Sequence, residues 1–168
     1  MAYQTEVNLQ QAFGGESMAN RRYLLFAEKA EREGYPGVAR LFRAAAEAET
    51  VHARNHLLAM DAIGTTQDNL TAASIGEFQE FTRMYPPFIE KAKEERNERA
   101  VKTFDYANRV EKIHHTYYEE ALAEVKEGKQ LEEKTYYICQ VCGNTLTGSA
   151  PDKCPICGAG ATAFKKID

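Results

Sequence analysis

Residues 110–118 read VEKIHHTYY, and the fold turns on why Glu111 and His114 stand where they do. Three-residue spacing puts both side chains on one face of a helix. The same face carries Phe104, Ala107, Tyr118, Ala121 and Val125, the apolar side that a bundle helix buries. A carboxylate and an imidazole inside such a stripe cost free energy unless something pairs with them. A single Glu-x-x-His is too short to decide the matter, because such motifs also arise by accident.

A counterpart lies upstream. Glu49 and His52, in AETVHAR, repeat the spacing on another periodic segment. The recurrence extends further, since Glu16 precedes Glu49 by 33 residues and Glu77 precedes Glu111 by 34. Each half of the chain therefore offers one Glu on an apolar seam, followed by one Glu-x-x-His. An internal repeat of this kind weighs more than either motif alone.

The periodicity around these residues predicts four long helical segments. The first runs from about Thr5 to Glu33, with Leu9, Phe13, Glu16, Asn20, Tyr23, Ala27 and Ala30 on its seam. EGYPG at 33–37 breaks it, Gly34 suiting a helix end and Pro36 a helix start. A second segment reaches about Gly64 through Val38, Phe42, Glu49, His52 and His56; His56 reads as a satisfied core histidine. GTTQDNLTAAS at 64–74 reads as the longest connection, and a third helix then carries Glu77, Glu80, Met84 and Phe88, with a kink or local unwinding expected at YPP, 85–87. The fourth runs from Arg96 or Asn97 to Gly128, with His115 off its seam and facing solvent. Two short links around a longer one suit an all-α four-helix bundle of the ferritin-like type.

Beyond Lys134 the pattern changes. Cys139-x-x-Cys142 and Cys154-x-x-Cys157 form two knuckles 11 residues apart and contain every cysteine of the chain. Four thiolates so spaced suit a tetrahedral metal, iron or zinc. Residues 136–168 are too few to bury an adequate core, so the metal should hold this domain together, and residues 1–135 form the bundle and its linker.

The remaining composition narrows the function. At 43% hydrophobic and 27% charged residues, the 168-residue chain is ordinary for a globular protein. Its formal net charge of −4, with basic residues scattered among acidic ones, argues against nucleic acid or an anionic membrane as partner. No run is apolar enough to span a bilayer, and MAYQTEVNLQQ has no basic start before an apolar stretch. A cytoplasmic location is the resulting expectation.

The ligand pattern is specific: one Glu from each of two helices, and a Glu-x-x-His from each of two others, is the ligand set of carboxylate-bridged di-metal bundles. Bridging carboxylates neutralise two divalent ions and hold them close, while imidazoles cap the ends. Glu80, one turn from Glu77, adds a fifth carboxylate. GGESMANRRY, AEAETVHARNH, GEFQEFTRMYP and VEKIHHTYY, followed by the cysteine knuckles, resemble the rubrerythrin family over nearly the whole chain. The resemblance implies a di-iron centre bridged by Glu49 and Glu111, with Glu16 and Glu80 on one iron and Glu77 and His114 on the other. It also implies that His52 replaces Glu80 on reduction, that Tyr23 and Tyr85 support the ligands, and that a rubredoxin-like domain binds one iron through Cys139, Cys142, Cys154 and Cys157. The implied activity is a non-haem peroxidase of oxidative stress defence, reducing hydrogen peroxide to water with electrons from an NAD(P)H-dependent reductase or a rubredoxin.

A homodimer or higher homo-oligomer is expected. From Glu111 to Gly128 a helix covers roughly 25 Å, and the eight-residue link to Thr135 spans at most about 28 Å, so tether reach favours a cysteine domain that serves the partner's bundle. A ferroxidase or iron-storage role, and a non-enzymatic zinc-ribbon interaction protein, are the alternative readings.

Overall fold

The computed structural model of the chain describes residues 3–167; the outer bounds 1 and 168 of the two expected domains lie outside them. Packing divides the chain into two compact units between Gly64 and Thr65.

The first unit is a pair of helices, α1 (Gln4–Arg32) and α2 (Pro36–Ala59). Gly34 takes the left-handed conformation at φ 83° that ends α1, and Pro36 opens α2 without sacrificing a hydrogen bond. Buried Ala27, Ala30 and Ala39 let the helices approach closely, and Phe42 packs against them. One turn from Glu16, Asn20 donates from Nδ2 to the Ala46 carbonyl at 2.7 Å and to Thr50 Oγ1 at 2.9 Å. That clamp sets the register of Glu16 against Glu49.

The second unit begins with α3 (Thr66–Gln79), earlier than the expected loop at 64–74 allows. The Thr and Asp read as loop chemistry are a capping box: Thr65 Oγ1 accepts from the Asp68 amide at 3.2 Å, and Asp68 Oδ2 accepts from the Thr65 amide at 3.0 Å. A π-helical turn (Glu80–Met84) continues into α4 (Tyr85–Glu94). It answers the expectation at YPP, but lies just before it. Pro86 and Pro87 cannot donate to the preceding turn, and the backbone widens so that the Tyr85 amide donates to the Glu80 carbonyl five residues back. Helix α5 (Glu98–Lys126) starts at Asn97, whose side chain caps the Ala100 amide at 3.1 Å.

The cysteine region folds as a three-stranded antiparallel sheet of order β2-β1-β3: β1 (Tyr136–Cys139), β2 (Thr145–Thr147) and β3 (Phe164–Ile167). Tyr136 pairs with Thr147 and with Ile167, and Cys139 with Phe164. The sheet sits on α5 of its own unit. Val110, buried in α5, lies 3.9 Å from the Cβ direction of Gly143, and Arg109 donates to the Ile156 and Pro155 carbonyls at 3.2 and 3.3 Å. Tether reach pointed to a partner's bundle, yet the chain's own α5 receives the domain, because the folded domain itself covers part of the span.

No helix among the described residues is long and apolar enough to cross a membrane. Thr65→Ala removes half of the capping box and should destabilise the protein by about 1 kcal/mol in urea unfolding. An unchanged midpoint and slope would mean that the box does not set the start of α3.

Candidate metal centres

Each unit gathers its own lone Glu and its Glu-x-x-His. In the first, Glu16 from α1 meets Glu49 and His52 from α2, one potential ligand atom of each lying within 4.8 Å of the others. His52 donates from Nδ1 to Glu49 Oε2 at 2.8 Å. In the second, Glu77 from α3 meets Glu111 and His114 from α5 under the same limit. His114 Nδ1 lies 2.8 Å from Glu111 Oε2 and 3.7 Å from Glu77 Oε1.

Crowded carboxylates resist ionising. Burial, and then the charge of Glu111, push the Glu77 carboxyl up to about 7 against the opposing pull of His114. Glu80 stands outside the close group but feels it: burial and Glu111 raise its carboxyl above the usual range. His114 is held toward its cationic form, chiefly by the hydrogen bond to Glu111, although burial opposes this. Divalent cations would relieve the same repulsion that protons now relieve, so the donor set fits them.

The tyrosines differ. Burial and the charges of Glu80, Glu111 and Glu77 raise the hydroxyl of Tyr85, so it faces the cluster. Tyr23 packs between Phe26 and Phe42, with ring centroids 6.3 and 6.1 Å away. Tyr118, read from the sequence only as seam filler, is raised by burial and by Glu77 and Glu111; its position one turn after His114 is the signal that marks it. His115 is not solvent facing. It bonds through Nδ1 to Ser74 Oγ at 3.0 Å and packs on Phe78 and Phe81, while Ser74 donates to Glu119. The i+4 relation of His115 to Glu119 on a face toward α3 explains the burial: this polar group fastens α3 to α5.

The four cysteines form one cluster. Cys139 and Cys157, and Cys142 and Cys154, have sulfurs 3.6 Å apart, and all four lie within 4.8 Å of one another. A disulfide needs about 2.05 Å, whereas tetrahedral ligation at about 2.3 Å places sulfurs roughly 3.8 Å apart. Gly143 and Gly158, at φ 80° and 77°, close the two knuckles. Burial raises the Cys154 thiol, but the Cys157 and Ile156 amides more than offset it and hold it at about 7, a value suited to a thiolate ligand. Asn144, fully buried, adds an Nδ2 donor 3.7 Å from Cys154 Sγ.

Residues 7–122 match the family model described as rubrerythrin, and residues 137–165 match that of its rubredoxin-like domain. The chain belongs to the rubrerythrin family. It is 39% identical to rubrerythrin-2 of Clostridium acetobutylicum, covering 94% of this chain and 93% of that one, and 36% identical to the rubrerythrin of Porphyromonas gingivalis, covering 97% and 90%. Nigerythrin in its mixed-valence state is a structural relative at TM-score 0.55 and 31% identity, over 99% of this chain and 88% of that one. The fold is therefore the ferritin-like helical bundle followed by a rubredoxin-like domain, and the cofactors of this rubrerythrin-family protein are a di-iron centre and one iron held by four cysteines. It is an oxidoreductase of the di-iron oxidative-stress class.

The raised groups set a pH dependence for metal-free protein. Glu77 binds its proton more tightly folded, at about 7, than at its ordinary 4.5, so its contribution is present below pH 4.5 and lost as pH rises through about 7. His114 is also raised, so its contribution is present below 6.5 and lost above. Chelator-treated protein should therefore melt at lower temperature as pH rises across this window, and metal should restore the midpoint most at the alkaline end. A metal effect independent of pH would contradict the clustering of these groups.

Proposed function

We propose that this rubrerythrin-family protein is a peroxidase that reduces hydrogen peroxide to water, with electrons relayed through its four-cysteine domain from an NAD(P)H-dependent reductase or a rubredoxin. In this reading Glu16, Glu49, His52, Glu77, Glu80, Glu111 and His114 hold the di-iron centre, and Cys139, Cys142, Cys154 and Cys157 hold the single iron. When bound, the irons supply the two electrons that a peroxide bond takes up and the single-electron steps that replenish them. Residues 1–135 form the bundle domain and its linker, and 136–168 the electron-transfer domain.

The observation that carries the reading is the seating of the cysteine domain on α5, where Thr145 Oγ1 lies 2.8 Å from Nε2 of His114. A storage protein has no use for a single-electron site beside a ligand of its di-iron centre. Reduction of one hydrogen peroxide consumes two protons along with the two electrons. In the metal-free protein the Glu77 carboxyl, near 7, and the Glu80 carboxyl, raised above the ordinary range, are the groups whose protons the irons would displace. Tyr85 keeps its hydroxyl proton against the surrounding carboxylates and can donate a hydrogen bond to them. In the same reading His52 replaces Glu80 as a ligand on reduction.

Cys139→Ser tests the relay. Chemically reduced variant should still consume peroxide in a single turnover, while NAD(P)H-driven turnover falls to background; unchanged turnover removes the cysteine domain from the path. Contact within one chain supports transfer within that chain, in place of transfer to a partner. Mixed oligomers of Glu111→Ala with Cys157→Ser chains should then stay inactive, since no chain carries both an intact α5 site and an intact relay. Recovery of activity would restore transfer between subunits.

A further inference from the structure

The side chain of Thr145 joins two parts of the molecule. It belongs to β2 of the cysteine region, is buried at 8% exposure, and reaches Nε2 of His114 on α5 at 2.8 Å. Its direction of bonding follows from proton count. A threonine hydroxyl has one proton, and Thr145 Oγ1 directs it to the Gly143 carbonyl at 3.2 Å, which can only accept. The oxygen is then the acceptor at His114, and Nε2 carries the hydrogen. Nδ1 of the same ring is turned to Glu111 and Glu77 at 2.8 and 3.7 Å. Without metal Nδ1 donates to Glu111; because Nε2 keeps its hydrogen directed at Thr145, a metal that displaces the Nδ1 proton would meet the lone pair at the nitrogen that faces the carboxylates.

We infer that Thr145 is a positioning residue for the bundle metal site: by accepting from Nε2–H it fixes the orientation and tautomer in which His114 presents Nδ1, so the small domain completes a site in the helical unit. The inference rests on the reading of His114 as a ligand and extends it to a residue 31 positions away in sequence. Three further features hold Thr145 in place. Tyr117 donates to the Thr145 carbonyl at 3.4 Å, the adjacent Asn144 carbonyl accepts from the Cys139 amide at 2.9 Å, and Asn144 Nδ2 lies 3.7 Å from Cys154 Sγ. The dipeptide Asn144–Thr145 thus touches a cysteine sulfur with one side chain and an imidazole with the next. Loss of the thiolate iron should loosen β2 and pass to His114 through this pair.

The test is anaerobic titration with ferrous iron of full-length protein whose four-cysteine site is already filled. Thr145→Val keeps the shape and removes the acceptor, and ferrous affinity at the bundle site should fall about 10- to 100-fold. Thr145→Ser should retain it. Tyr117→Phe, which removes the other hydrogen bond from α5 to β2 without touching His114, should leave it unchanged. The visible spectrum of the four-cysteine iron reports that the domain is folded in each variant, and a variant that loses it is replaced by Thr145→Ala. Unchanged affinity in Thr145→Val, or an equal fall in Tyr117→Phe, overturns the inference, the latter because it assigns the effect to seating of the domain. His114→Ala separates the levels: if it also leaves affinity intact, the reading of His114 as a ligand fails, and if it alone lowers affinity, only the role of Thr145 fails.

Discussion

Mutual repulsion among carboxylates on otherwise apolar helix faces is the constraint on which the molecule depends. Glu77, Glu80 and Glu111 crowd a partly buried space, and burial together with the charge of Glu111 pushes the Glu77 and Glu80 carboxyls toward their protonated forms. Hydrophobic burial alone would favour leucine at these positions. The acids are tolerated because cations replace the protons, which makes metal binding a part of folding free energy. The small domain obeys the same logic with thiolates, whose convergence has no value without an ion to share.

The geometry of each helix serves this arrangement. Asn20 clamps α1 to α2 beside Glu16, and the Ser74–His115–Glu119 group fastens α3 to α5 above Glu77 and His114. The π turn at Glu80–Met84 follows from the prolines behind it, and rotates the helix directly after Glu77. Local backbone chemistry therefore sets where the fifth carboxylate points. These two polar clamps fix the registers on which the two Glu-x-x-His pairs sit.

Much of this was legible in the sequence because it is periodic. Seams spaced by three and four, the twofold recurrence of Glu followed by Glu-x-x-His, and the spaced cysteine knuckles each state their structure within a few residues. Contacts between distant segments were not legible. Thr145 carries no motif, and its place against His114 depends on how a strand of the small domain lies on α5. His115 looked exposed from the bundle seam alone, because the face it occupies is partly covered by Ser74 and Phe78 of α3 and Phe81 of the π turn. Thr65 and Asp68 were ambiguous for another reason: residues that cap a helix are the same residues that populate loops.

The chain's two kinds of donor set lead to one direct measurement. Mössbauer spectroscopy of natively purified protein grown on enriched iron resolves carboxylate-bound from thiolate-bound iron by their isomer shifts. The account predicts two populations in a ratio of two to one, the larger one an exchange-coupled pair that is lost when Glu49 and Glu111 are replaced by alanine. A single thiolate population, or zinc in place of iron at both sites, would contradict it.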